Sequence, residues 1–187
     1  NIGGKCVFTS EWNNEAQKTY RENFGEIPFG DITKERNKNY IPTEFDVLCA
    51  GFPCQAFSIA GYQKGFADTR GTLFFYIEQI ITKHKPKVVF LENVKNLVSH
   101  DNGNTFKTII ETLEFKLGYK VFHKILNTAT HSNIPQNRER IFIVAFDPKQ
   151  VKNYSKFEYY EKVPKNIKIF ADKIPKIVAK ETFDTLF

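Results

Sequence analysis

Short apolar runs alternate with longer amphipathic stretches along this chain. Residues 5–10 (KCVFTS), 46–50 (DVLCA), 87–91 (KVVFL), 119–126 and 140–146 (RIFIVAF) are rich in β-branched and aromatic side chains, and each is predicted to form a strand. Between them, residues 13–24 set Ala16, Tyr20 and Phe24 on one face at helical spacing. Residues 71–83 predict a second helix, ended by Pro86, and residues 104–117 a third, closed by Gly118 in a C-cap position. The segment 61–71 holds three glycines and no apolar period, so it reads as a mobile loop. No internal repeat or low-complexity stretch interrupts the alternation. Strands alternating with helices predict an α/β fold on a parallel sheet. In such a sheet ligands bind beyond the carboxyl ends of the strands. That rule singles out Glu11 and Trp12, then Pro53 and Cys54, then Glu92 and Asn93.

Size and composition narrow the picture. The 187 residues suit one domain, or one domain and the start of a second, and 41% hydrophobic content is enough to bury a core. No apolar run approaches the ~18 residues of a membrane span, and no basic-then-apolar leader opens the chain. The three cysteines, Cys6, Cys49 and Cys54, form no CxxC pair. They support neither a disulfide framework nor a zinc site, and fit a reduced cytosolic compartment. The net charge of +6 suits a polyanion such as nucleic acid, yet a lysine-rich solvated surface explains it almost as well. The histidines His84, His100, His123 and His131 are not spaced as metal ligands and read as surface or packing residues. Their placement also gives Cys54 no neighbouring base of the kind a cysteine hydrolase needs. After Asp147 and Pro148 the texture changes to nine lysines and six acidic residues with no clear period, which divides the chain into 1–147 and 148–187. The absence of methionine and the opening at Asn1 read as an internal piece of a longer polypeptide.

Three segments carry candidate chemistry. Gly51-Phe52-Pro53-Cys54-Gln55 puts a thiol on a turn just past a strand, where a thiolate can attack carbon. A small buried hydrophobe is the plain alternative. Leu91-Glu92-Asn93-Val94 puts a carboxyl at the next strand end, as an acid or hydrogen-bond donor, or merely as an acid favoured by a helix dipole. Gln136-Asn137-Arg138-Glu139-Arg140 would place positions 136, 138 and 140 on one face if extended. Two arginines there suit phosphate or carbonyl contacts, or equally a salt-bridged strand start.

Taken together and in this order, these segments resemble the DNA cytosine-5 methyltransferase family, and in particular bacterial restriction–modification methylases. Phe52-Pro53-Cys54-Gln55 resembles the family's Pro-Cys motif, Glu92-Asn93-Val94 its ENV motif, and Gln136-x-Arg138-x-Arg140 its QxRxR motif. Arg70-Gly71-x-Leu73-Phe74, Gly30-Asp31-Ile32 and Glu11-Trp12 are similar to further family segments, so that the likeness runs from about Lys5 to Phe146. The resemblance implies a Rossmann-like S-adenosylmethionine-dependent fold and methyl transfer to C5 of a cytosine flipped out of double-stranded DNA. It implies Cys54 as nucleophile, Glu92 as proton or hydrogen-bond donor, Arg140 on the flipped ring, Arg138 near the pocket and Asn93 in support. The cofactor would be held by Glu11, Trp12, Asp31, Ile32, Pro53 and Leu73. DNA would be met by Gln55, Ser58, Arg70, Gln136 and Arg138, with a loop over 58–70 closing on it. No metal is implied. An RNA-directed (tRNA) methyltransferase of related fold and a non-catalytic DNA-binding or complementing subunit are the other readings.

The chain departs from the family at both ends. Asn1-Ile2-Gly3-Gly4 is not the family's glycine loop, because Glu11 follows Gly4 by seven residues and leaves no room for the intervening helix. The expectation is therefore an incomplete sheet lacking its first strand, which would lie between the strands ending at Ser10 and Ala50 and leave their edges unpaired. Only 41 residues follow Phe146, enough for the start of a target recognition region. Either the chain is part of a larger enzyme or a second polypeptide supplies the rest.

Overall fold

The computed structural model describes residues 3–53, 73–132 and 134–159. Cys54, Gln55, Ser58, Arg70, the predicted loop 61–71 and everything after residue 159 lie outside the described residues.

Four strands form one sheet: β1 (Val47–Gly51), β2 (Val88–Val94), β3 (Lys120–Asn127) and β4 (Glu139–Phe146), in the order β1-β2-β4-β3. The expectation of a parallel sheet holds only for β1 and β2. β2 pairs antiparallel with β4, and β4 antiparallel with β3. The helix of residues 104–111 lets β3 follow β2 by a crossover, but only the short excursion from Thr128 to Arg138 separates β3 from β4. An antiparallel return is what so short a connection permits.

Helices α1 (Asn14–Phe24), α2 (Glu35–Lys38), α3 (Leu73–His84), α4 (Asn104–Glu111) and α5 (Thr128–His131) accompany the sheet. α1 begins where Asn13 accepts from the amides of Glu15 and Ala16, and ends at Gly25, whose φ of 74° only glycine adopts without strain. α4 continues into a π turn, Thr112–Lys116, before Gly118 takes φ 78° and Tyr119 N–H donates back to Leu113 O. The predicted cap at Gly118 is thus closed by a bond that spans six residues, one more than in a Schellman cap, at the end of a widened turn.

Alternation along β2 divides it between two environments. Val89, Leu91 and Asn93 point into the core, where they meet Ile141, Ile143 and Ala145 of β4. α3 contributes Phe74, Ile77 and Ile81 to this layer, and Ile109 and Leu113 come from α4 and its π turn. Each buried Val, Leu, Ile or Phe side chain of this layer stabilises the fold by roughly 1.5–3 kcal/mol relative to exposure. The opposite face is aromatic, with Phe90 and Phe142 at 5.7 Å. Beyond β4 the chain folds back on that side: Phe157 packs edge-on to Phe122 at 5.4 Å and at 5.2 Å from Phe146. The described residues after Asp147 therefore belong to the same packing unit as the sheet.

Residues 5–10 do not form the predicted strand. Only Ser10 makes a bridge, parallel to Phe29, through Glu11 N–H to Phe29 O and Phe29 N–H to Thr9 O. A strand exists by its ladder, and among the described residues 5–8 have no backbone partner to extend one. β1 likewise has β2 on one edge only. The half of the chain around them is open: Val7, Trp12, Phe24, Ile27, Tyr40 and Val47 are all exposed. No residue of α1 is buried, so its Ala16–Tyr20–Phe24 face lines a cleft and not the core. No helix among the described residues is long and apolar enough to cross a membrane.

Candidate active site

Two of the strand ends predicted to carry chemistry, those of β1 and β2, lie side by side, with Gly51 opposite Glu92. Glu92 does not follow β2, as expected, but lies within it, because pairing with β4 persists as far as Val94 opposite Arg140. Glu92 is opposite Phe142, so Arg140 is its diagonal neighbour on the same face. Arg140 Nε reaches Glu92 Oε1 at 2.9 Å, and Arg140 Nη1 donates to the Glu139 carbonyl at 2.9 Å. The side chains are 22% and 34% exposed, so the pair faces an opening and is not sealed in the core. On the other side of Glu92 stands Gly51, where a Cβ would come within 3.5 Å of Glu92 Oε2. The glycine leaves that side of the carboxylate open.

Asn93 points the other way. It is 3% exposed, its Nδ2 donates to the Phe52 carbonyl at 2.7 Å, and its Oδ1 accepts from Val94 N–H at 2.8 Å. Phe52 is itself buried, with its ring 5.8 Å from that of Phe74. One strand thus presents a carboxyl on its open face and uses the next residue to hold the backbone that leads to Cys54. In the sequence Phe52 stands out only as part of the Pro-Cys motif, with no anchoring role, although an aromatic between Gly51 and Pro53 is the natural anchor for such a turn. Pro53 is exposed.

The QxRxR segment is only partly brought together. Arg140 is in the site, but Gln136 and Arg138 precede β4 and are exposed. They do not share an extended face, because the Gln136 amide turns back to Ile134 O and the Arg138 amide to Gln136 O. Arg138 O in turn accepts from Thr128 N–H at 3.0 Å, and Asn127 Nδ2 donates to Asn137 Oδ1 at 2.6 Å. The excursion is stapled at its base and presents both side chains at the rim. Lys95, missed in the sequence, bonds Glu139 at 2.8 Å beside the central pair.

A second cluster lies at the N-terminal side. Glu11 Oε1 accepts from Asn13 N–H at 2.8 Å, while Oε2 has no partner among the described residues. Glu11 lines a cleft of about 520 Å³ together with Ser10, Ala16, Tyr20 and Phe24. The bridge between residues 9–11 and Phe29 brings the Asp31 loop beside it. Asp31 Oδ1 accepts from Thr33 N–H at 2.8 Å, and Ile32 is half-buried. Trp12 is 76% exposed, and Leu73 packs against the core from the first turn of α3. A carboxylate with one oxygen anchored and the other open, at the rim of a cleft, fits a diol such as a ribose. Among the described residues no group of three or more His, Cys, Asp or Glu side chains is clustered to hold a metal.

The chain as a whole is similar to known proteins. A family model described as C-5 cytosine-specific DNA methylase matches residues 1–184. The Type II methyltransferase M.HpaII of Haemophilus parainfluenzae is 56% identical over 172 residues, covering 92% of this chain and 47% of that protein. The Type II methyltransferase M.HaeII of Haemophilus aegyptius is 59% identical over 145 residues, 78% of this chain and 44% of that protein. The chain thus spans about half the length of these relatives. Among solved structures, a putative DNA modification methyltransferase of an E. coli prophage aligns with a TM-score of 0.62 at 20% identity, over 89% of this chain and 46% of that one. The S. pombe Dnmt2 methyltransferase aligns with a TM-score of 0.61 at 19% identity, over 94% and 55%. These two likenesses establish a shared fold.

Proposed function

The chain belongs to the C-5 cytosine-specific DNA methylase family, and from that membership we propose that it carries the reacting groups of an enzyme transferring a methyl group from S-adenosylmethionine to C5 of a cytosine turned out of duplex DNA. The observation that carries the reading is the Glu92–Arg140 pair at the mouth of the sheet, with Asn93 holding the backbone two residues ahead of Cys54.

Cytosine C5 is a weak nucleophile, and a covalent intermediate removes that difficulty. The Cys54 thiolate adds to C6, and the electron pair of the C5–C6 double bond moves towards C5 and the ring. Glu92 meets N3 and the exocyclic amine and supplies the proton or hydrogen bond that offsets the charge gathering there. S-adenosylmethionine, when bound, offers an electrophilic methyl group. C5 would take that carbon as its bond to the sulfonium sulfur breaks, with S-adenosylhomocysteine as the leaving group. The C5 proton would then go to a base, and the electrons of the C5–H bond would restore the C5–C6 double bond as the C6–sulfur bond breaks and returns Cys54 as thiolate. Arg140 orients both Glu92 and the ring. Flipping the base costs a few kcal/mol, which contacts from Gln55, Ser58, Arg70, Gln136 and Arg138 to the DNA offset.

For the cofactor, Glu11 would take the ribose hydroxyls on its open oxygen, with Trp12 stacking nearby. Asp31 and Ile32 would flank the adenine, and Pro53 and Leu73 would complete that side. The names of the relatives place them among Type II methyltransferases, and we assign this chain to a restriction–modification setting in the cytosol. Residues 148–187 then begin the region that reads the DNA target.

Covalent trapping tests the proposal. The full polypeptide carrying this chain is incubated with S-adenosylmethionine and a duplex containing 5-fluorocytosine, which blocks loss of the C5 substituent. A denaturation-resistant adduct that disappears in Cys54→Ala supports it. An adduct with tRNA in place of the duplex moves the reading to RNA. No adduct with either, under conditions where the protein binds both ligands, overturns it.

A further inference from the structure

Lys38 is the last residue of a four-residue helix, and its side chain is only 13% exposed. Lysine ordinarily keeps its ammonium in water, and burial is costly unless every donor finds a partner. Here each one does. Nζ lies 2.8 Å from Glu35 Oε2, 3.3 Å from Gln79 Oε1, and 5.0 Å from the centroid of the Tyr76 ring. Tyr76 and Gln79 are one turn apart on α3. The opposite face of α3 is locked in the core through Phe74, Ile77 and Ile81. Lys38 therefore ties α2 to an element that cannot shift.

The neighbouring residue of the same helix faces the other way. Asn37 Nδ2 donates to the Asp31 carbonyl at 2.8 Å, and Lys34 N–H donates to the same oxygen at 3.1 Å. Gly30 lies against this contact: a Cβ there would stand 3.4 Å from Asn37 Nδ2, at the edge of ordinary van der Waals contact. The order of contacts is α3, Lys38, Asn37, Asp31 carbonyl. The same loop is bonded through Phe29 to Thr9 and Glu11. α3 starts at Leu73, next in the chain to the segment that holds Cys54 and Arg70.

We propose that Lys38 is a positioning residue for the cofactor: it sets the Asp31–Ile32 loop against α3, so that the loop and Glu11 present one preformed binding surface. The proposal rests on the reading of Glu11, Asp31 and Ile32 as the S-adenosylmethionine site. Lys38 touches neither cofactor nor substrate and acts through Asn37 and the loop.

The test is calorimetric binding of S-adenosylmethionine to the full polypeptide, with KM and kcat measured alongside. Lys38→Met should weaken cofactor binding by about tenfold, the scale of losing a desolvated cation–π contact and a charged hydrogen bond. KM for the cofactor should rise in parallel, with kcat at saturation within about twofold, the signature of lost binding without lost chemistry. Lys38→Arg keeps the charge and the ring contact and should recover most of the affinity. Gln79→Leu and Tyr76→Leu remove the receiving partners and should each weaken binding several-fold. If Lys38→Met fails to fold, these two α3 variants decide alone. A Lys38→Met or α3 variant that melts earlier but binds cofactor as tightly as the wild type at a temperature where it is folded overturns the proposal, and Lys38 is then a structural clamp only. Glu11→Ala separates this result from failure of the underlying reading. If the wild type binds no cofactor, or Glu11→Ala binds it unchanged, the cofactor site is elsewhere and the proposal falls with it.

Discussion

Arg140 Nε stands 2.9 Å from Glu92 Oε1 across the β2–β4 ladder, one step diagonal from direct opposition. The diagonal matters because it leaves Phe142 opposite Glu92 and Val94 opposite Arg140, so the two charged groups lean towards each other over apolar neighbours. Such a pair is partly solvated, and its worth to stability is on the order of 1 kcal/mol or less. Its value lies in orientation.

Glu92→Gln preserves shape and a hydrogen bond to Arg140 but removes the group that can give a proton. Trapping of the 5-fluorocytosine adduct should slow by about 10²–10⁴-fold, with a thermal midpoint close to that of the wild type. Arg140→Lys keeps the charge and loses the planar fork, and should slow trapping less than Arg140→Ala. A Glu92→Gln protein that reacts at the wild-type rate would remove Glu92 from the chemistry.

Asn93 gives a different signature. Its amide is the buried partner of the Phe52 carbonyl, and truncation leaves that carbonyl unsatisfied at a cost of roughly 1–3 kcal/mol. Asn93→Ala should therefore lower the unfolding free energy by that amount and also slow trapping, since the turn ahead of Cys54 loses its hold. Asn93→Asp is the sharper variant: a carboxylate cannot donate to the carbonyl, so it should be at least as damaging despite its near-identical shape. Denaturant unfolding and adduct formation would be followed together. Loss of reaction without loss of stability would contradict a positioning role.

Asn13 links the helix cap to the cofactor cluster. Its side chain accepts from Glu15 and Ala16 amides, and its own amide donates to Glu11 Oε1. Asn13→Ala should cost about 1 kcal/mol through the lost cap. Asn13→Pro would remove the donor to Glu11 and should weaken S-adenosylmethionine binding beyond what Asn13→Ala does. Equal cofactor affinity in the two variants would show that Glu11 does not depend on this amide.

How far the sequence disclosed this arrangement depends on what each element needs. β2 and β4 were legible because an unbroken apolar run such as KVVFL or RIFIVAF has only the interior of a sheet to occupy. Their relative direction was not, since periodicity carries no sign. The segment 5–10 has strand-like residues, but a strand requires a neighbour, and the described chain offers it only Phe29. Glu92 read as lying beyond its strand because a carboxyl breaks the apolar run. In fact alternation turns it to the open face, where Arg140 meets it. Arg138 and Gln136 shared a motif with Arg140 but not a conformation, because turns at residues 134–138 interrupt the extended geometry that spacing alone assumed. Lys38 could not be distinguished among 22 lysines, since its burial arises from α3, 38 or more residues along the chain.

Two phenols withdrawn from water make an alkaline prediction. Tyr119 Oη donates to Pro86 O at 2.6 Å, and burial, reinforced by Asp147, holds its phenol well above the ordinary value of 10.0. Tyr159 Oη reaches the carbonyls of Phe122 and Phe142 at 3.1 and 3.2 Å, and burial pushes it up to about 12. A phenol whose folded pKa is raised keeps its proton in the folded state after the unfolded chain has lost it. The stabilisation is complete below about pH 10 and is withdrawn as pH climbs from there through 12 and beyond. Denaturation midpoints should accordingly fall over that window, with tyrosinate absorbance in the folded protein lagging behind that of the unfolded chain. Tyr159→Phe and Tyr119→Phe should each flatten the decline. Tyr119→Phe should also lower stability at neutral pH by roughly 1–3 kcal/mol, because the Pro86 carbonyl loses its buried donor. A decline unaltered in both variants would assign the alkaline transition to other groups. It would also mean that the hold of Tyr159 on β3 and β4 does not anchor the chain beyond Asp147.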